Sequence, residues 1–173
     1  MLMTILFGSV IALVALSMGW VLISRNLDIK EKSVRLTDQQ KRTAPIAALK
    51  ISACERLTIM LERSTPTSVV MRLPVAGMTA TQLQLEVIKS IRQEFEHNVG
   101  LQIYVSADTW QCVIQAREET IAIIKLAFQD LTSETSSIEL SQRIFLLEAK
   151  TENAAIQKAI EKIKEEINQQ FTM

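Results

Sequence analysis

Apolar and polar positions divide the chain into one opening block and a series of amphipathic stretches. From Met1 to Ser24 no side chain is charged, and Arg25 follows at once. As a helix this block rises ~35 Å, enough to cross a ~30 Å hydrocarbon core with modest tilt. Trp20 lies near the charged end, at the level where an indole prefers the headgroups. A cleaved signal peptide needs a basic leader and a small-x-small cleavage site, and neither is present before Arg25. The pattern therefore predicts an uncleaved transmembrane anchor over residues 1–24. Gly8, Ala12, Ala15 and Gly19 share a face of that helix. Small residues are common in membrane helices, and the Gly-x-x-x-Gly pairing is absent, so the stripe is read as composition.

Residues 25–42 are charged, with Leu27, Ile29, Val34 and Leu36 too sparse to make a core face, so they are expected to form a juxtamembrane stalk. Residues 43–173 then carry the periodicity of a helical domain. A first helix is expected from Pro45 to Arg63, with Ile46, Ala53, Cys54, Leu57, Met60 and Leu61 on one face. Ile51 and Ile59 lie off that face and suggest further neighbours. Ser64 to Met78, punctuated by Pro66, Pro74 and Gly77, reads as a loop that is unusually apolar at Val69, Val70, Met71 and Leu73. It packs over the domain or meets a partner.

Thr79 with Gln82 forms a capping box that opens a second helix, with Ala80, Val87, Ile88, Ile91 and Phe95 facing the core. Asn98 and Gly100 end it, and Leu101 to Val105 is expected to be short and extended. Ser106 caps a third helix reaching about Leu131, with Trp110, Val113, Ile124, Phe128 and Leu131 on one face. Ser136 with Glu139 opens a last helix that is expected to run nearly to the C-terminus. One stripe, Ile138, Phe145, Ala149, Ile156, Ile160, Ile163 and Ile167, follows its whole length, and a second, Leu140, Ile144 and Leu147, only its first half. Spacings of four, three and four from Ile156 to Ile167 suit a coiled-coil seam. The same spacing suits a helix lying on its own domain, so these four isoleucines are candidates for a partner-facing edge. The fold class is all-α: an anchor, a stalk and a bundle of about four helices.

Acids and bases balance at 19 each, but the bases gather next to the opening block. From Arg25 to Lys50 there are seven Lys or Arg against three Asp or Glu. Basic residues beside a span resist translocation and suit an anionic lipid face, so the N-terminus is expected outside and the domain on the cytoplasmic side of the inner membrane. No basic stripe on the folded part points to nucleic acid. Cys54 and Cys112, without a C-x-x-C motif, read as reduced, buried small residues.

The densest chemistry is Arg92-Gln93-Glu94-Phe95-Glu96-His97. Glu94 and His97 are spaced i, i+3, as metal ligands in helical bundles are, but a di-iron site needs that motif twice and His97 is the only histidine. No metal or cofactor is therefore expected, with Glu94 and His97 as weak metal candidates. Glu94 and Arg117 both fall at the margin of apolar faces, and a charge drawn inward needs a partner. An interhelical pair between them is expected. No nucleophile elbow, phosphate loop or small-molecule site is recognisable.

The run from Ile91 to Trp110, IRQEFEHNVGLQIYVSADTW, with Cys54-Glu55-Arg56-Leu57 and Leu61-Glu62-Arg63, resembles an uncharacterised family of small Bacteroidota proteins. The resemblance implies one N-terminal membrane helix and a helical cytoplasmic domain, and marks Glu55, Arg56, Arg63, Arg92, Glu94, Phe95, Glu96, His97, Asn98, Tyr104 and Trp110. It implies no activity. The expectation is a membrane-tethered, non-catalytic interaction or scaffold module that binds a protein partner or itself. The alternatives are an accessory subunit of a larger membrane complex, contacting it through the span, and a metal-binding or enzymatic domain centred on Glu94, Glu96 and His97.

Overall fold

The computed structural model describes residues 18–20, 24–25, 44–74 and 76–171. The chain divides into two compact units, residues 1–47 and 48–173. In the first, the described residues are helical, and the expected anchor and stalk otherwise lie outside the described residues. Among the described residues no helix is long and apolar enough to cross a membrane.

The second unit is all-helical. Helix α1 spans residues 44–63, of which 48–63 belong to this unit. It is followed by α2 (Pro66–Val70), α3 (Ala80–Asn98), a 3-10 helix (Val99–Tyr104), α4 (Ala107–Phe128), α5 (Ser137–Thr151) and α6 (Ala154–Phe171). The caps follow the sequence closely. The Thr79 hydroxyl accepts from the Gln82 N–H while the Gln82 side chain accepts from the Thr79 N–H. Ser106 and Ser136 cap α4 and α5 through the N–H groups of Thr109 and Glu139. The starts of α3 and α5 are joined side by side, the Ala80 N–H donating to the Thr135 carbonyl at 2.8 Å.

The core consists of two buried clusters on a common pair of helices. In one, Cys54, Leu57, Met60 and Leu61 of α1 meet Phe95 of α3, Val113 and Ala116 of α4, and Ile156, Ala159, Ile160 and Ile163 of α6. In the other, Val69 and Val70 of α2 meet the first half of α3 (Ala80, Leu83, Val87, Ile91), the second half of α4 (Ile121, Ile124, Ala127), and Leu140 and Ile144 of α5. Helices α3 and α4 run through both, with α1 and α6 closing one end and α2 and α5 the other.

Four expectations are corrected here. The apolar loop contains a helical turn: Pro66 sits where a missing N–H costs nothing, Thr65 caps it, and Val69 and Val70 are buried. The stretch after Gly100 is 3-10 helix, not extended. Ile51 and Ile59 are exposed. The last helix is broken, because Glu152 and Asn153 take left-handed backbone angles, φ 51° and 50°. The break changes which face is buried. Ile138 and Ala149, on the expected continuous stripe, are exposed in α5, while Leu140 and Ile144, on the expected second stripe, are buried together with Ser141 and Glu148.

Candidate functional site

Four of the family-like residues, Arg56, Arg63, Glu94 and Asn98, meet on the seam between α1 and α3. Arg56 and Arg63 project from α1 two turns apart, and the end of α3 presents Glu94 and Asn98. Arg63 forms a two-point contact with Glu94, Nε at 3.0 Å and Nη2 at 2.9 Å from the same carboxylate oxygen. Arg56 donates to the Asn98 side chain at 3.4 Å, and Asn98 donates back to the Glu94 carbonyl at 2.7 Å. Arg72 adds a bond to the Arg63 carbonyl, tying the α2 end of the chain to the same seam. Phe95 is buried, Tyr104 and Trp110 are half-buried, and Glu55, Arg92, Glu96 and His97 are exposed.

The expected Glu94–Arg117 pair does not form. Arg63 reaches Glu94 first, because both project from the outer edges of adjacent helices. Arg117 instead lies 5.2 Å from the centre of the Phe95 ring and pairs with its neighbour Glu118 at 2.6 Å. A planar guanidinium over an aromatic face stays solvated on its other side, so Arg117 needs no buried partner. Among the described residues no group of three or more His, Cys, Asp or Glu is placed to hold a metal. Glu94 is held by Arg63, while His97 lies exposed on α3.

Two carboxylates that the sequence reading passed over carry the densest polar networks. Glu148, buried on α5, accepts from the Thr67 N–H at 2.6 Å, from the Thr67 hydroxyl, and from Asn153 Nδ2 at 2.7 Å. It thereby caps the first turn of α2. Glu166, on α6, accepts from the Ser106 N–H at 2.9 Å and the Ser106 hydroxyl at 3.0 Å, and pairs with Lys50 of α1 at 2.9 Å. Burial alone would raise the Glu166 carboxyl. Hydrogen bonds from Thr109, Lys50 and both Ser106 groups outweigh it and hold the pKa at about 2. Burial, with the Glu166 charge nearby, pushes the Cys54 thiol up, as suits an unreactive core residue.

The isoleucines offered as a partner-facing edge face inward. Ile156, Ile160 and Ile163 are buried against α1 and α4, and Ile167 packs on the same cluster. Once the helix breaks at Asn153, α6 lies along α4 and its stripe closes the domain's own core. Exposed large apolar side chains occur on several helices, Ile51 and Ile59 of α1 and Leu85 of α3 among them, and two others share a depression between α4 and α5. Leu126 is 54% and Leu146 64% exposed, and both line a depression of about 350 Å³ with Leu147, Asp130, Arg143 and Lys150. Neither leucine is marked by periodicity, since each sits on the polar side of its helix.

Residues 1–170 match the family described as "Family of unknown function (DUF7935)". No curated protein and no solved structure matches the chain.

Proposed function

The chain belongs to the DUF7935 family, and from that premise we propose that it is a membrane-tethered, non-catalytic module. Its helical domain docks a helix of a protein partner at the cytoplasmic face of the inner membrane. The observation that carries this reading is the α4–α5 surface. Two large aliphatic side chains, Leu126 and Leu146, stand more than half exposed beside one depression, flanked by Arg143 and Lys150. Two exposed aliphatic side chains beside one polar-rimmed depression suit a site that receives a partner's side chains. The uncharged block from Met1 to Ser24, followed by a basic flank, supports the tether and its orientation. The Arg56–Asn98 and Arg63–Glu94 contacts support a structural reading of the family-like residues: they fix α1 on α3.

The test is site-specific photo-crosslinking in native membranes, with benzoylphenylalanine placed at Leu146. A discrete protein adduct that disappears in Leu126→Glu is expected, with the chain retained in the carbonate-washed membrane pellet. Adducts to lipid alone, or release of the chain by carbonate, overturns the reading. Exchanging the first 24 residues for an unrelated apolar helix separates docking by the domain from contact through the span, because the former survives the exchange.

A further inference from the structure

A second depression, of about 270 Å³, adjoins the one at Leu146, and Leu126 lines both as the ridge between them. On α4 the second reaches back to Glu119, and the first reaches on to Asp130. The opposite wall follows α5 from Arg143 to Lys150 beside the first, then crosses the helix break to Ile156 beside the second. Together they make one groove along α4 with helices on both sides. Ala122, Ile123 and Ala155 make the second depression as apolar as the leucines make the first.

Four ionisable side chains line the groove: Glu119, Asp130, Arg143 and Lys150. Arg143 is engaged within the domain, donating to Glu139 at 3.2 Å and to the Gln129 carbonyl at 3.1 Å, and the second bond keeps its charge beside Asp130. Glu119, at the other end, accepts from the Gln115 amide at 2.8 Å. Lys150 is exposed and has no ion-pair partner among the described residues. It lines the first depression while its neighbour Thr151 lines the second, so it stands at the junction, across from Leu126. A partner lying in the groove meets an unanswered positive charge halfway along.

Each depression exceeds the ~150 Å³ that holds a benzene ring, so each admits one large apolar side chain. Their centres fall near Ala122 and Phe128 of α4, about 9 Å apart along the axis. On a helix laid along the groove, side chains seven apart share a face at ~10.5 Å, whereas those four apart are only ~6 Å from each other. We propose that the groove receives one amphipathic helix of a different protein, with large apolar side chains at i and i+7 seated one in each depression and an acidic side chain between them facing Lys150. Positions i+3 and i+4 lean to opposite sides of that face. The one toward α5 carries the acid, and the other covers Leu126. A second copy of this chain does not supply the pattern, because no two of the exposed large apolar side chains among the described residues lie seven apart on one helix. The proposal rests on the docking reading above and adds to it the partner's pattern and the extent of its footprint.

Photo-crosslinking of the full-length chain in native membranes tests it, with benzoylphenylalanine at Leu146 and, separately, at Ala154, an exposed position lining the second depression. Both positions are expected to give the same protein adduct. Mass spectrometry of the crosslinked peptides should place both attachment points on one partner segment, within about three helical turns of each other. Lys150→Glu should lower both yields about threefold to tenfold and Lys150→Arg should leave them unchanged. Changing the mapped segment's acid to lysine should restore the adduct of Lys150→Glu. An adduct at Leu146 with none at Ala154, attachment points on different proteins, an adduct of two copies of this chain, or yields unchanged by Lys150→Glu overturns the proposal and leaves docking at Leu146 standing. No protein adduct at either position overturns the docking reading with it.

Discussion

At the scale of single residues, two carboxylates do what the sequence suggested for other charges. Glu166 draws its stabilisation from donors on three elements: Lys50, Ser106 and Thr109. Its folded pKa, about 2, lies below the ordinary 4.5. The ionised form is therefore the one that stabilises the fold: its contribution is complete above pH ~4.5 and is lost as the pH falls from there through about 2. Solvent reaches the Lys50 side, so the contribution is set at about 2 kcal/mol, below the full difference between the two states. In urea melts, Glu166→Gln should lose about that much at pH 7, and the gap to the unaltered protein should close as the pH drops. A gap that stays constant from pH 7 to pH 3 contradicts the assignment. Glu148 offers a companion test without pH. Glu148→Ala strands the Thr67 N–H and Asn153 Nδ2, and a loss of about 2 kcal/mol is expected, because a buried donor left unpaired costs more than the bond itself was worth. Glu148→Gln should not recover it, since its amide group brings donors to a place where three donors already converge. The partners of neither carboxylate were legible in the sequence. Glu166 looks like any other polar-face residue of an amphipathic helix, whereas Glu148 lies one turn beyond Ile144 on the face of Leu140 and Ile144, a charge on an apolar stripe that called for a partner.

At the scale of elements, what could be read and what could not follow from how local each signal is. The starts of α3, α4 and α5 were readable because a cap is made within four residues, as Thr79, Ser106 and Ser136 each show. The core faces of α3 and of α1 from Ala53 to Leu61 were readable because both pack there on one side, whereas Ile46, expected on the same face of α1, is exposed. The α5–α6 break was not, because no glycine or proline marks it. Glu152 closes α5 in a left-handed conformation that a residue with a Cβ adopts at a cost, and tertiary packing supplies the compensation: α5 must bury Leu140 and Ile144 in one cluster, and α6 Ile156 to Ile163 in the other. Glu152→Gly should therefore stabilise the domain by about 0.5–1 kcal/mol, measured as a raised melting temperature. The same substitution in an uninterrupted helix would destabilise it by a similar amount, so the sign of the shift decides between a break and a continuous rod. The Glu94–Arg117 expectation failed at this scale too. A helical wheel places each charge at the margin of its own helix, but whether Arg63 or Arg117 arrives at Glu94 depends on which helix lies alongside.

At the scale of the whole domain, the arrangement makes a claim about cooperativity. The two buried clusters share few side-chain neighbours, yet α3 and α4 each contribute to both. Ile144→Ala in the α2–α5 end and Ile163→Ala in the α1–α6 end each empty a fully buried site. Each is expected to cost about 3 kcal/mol, from lost transfer energy and the residual cavity. Because the sites lie in separate clusters, the double variant should lose close to the sum, within about 0.5 kcal/mol. Additive energies do not imply independent melting. Opening either end exposes half of α3 and α4, which strips the other end of two of its four walls. Unfolding of residues 48–173 should therefore stay a single transition in each single variant, with coincident curves from Trp110 fluorescence, which reports the α1–α6 end, and from far-ultraviolet dichroism, which reports every helix. If Ile144→Ala melts the dichroism in two steps while Trp110 follows only the later one, the ends are separate folding units. Helices α3 and α4 would then join them without coupling them.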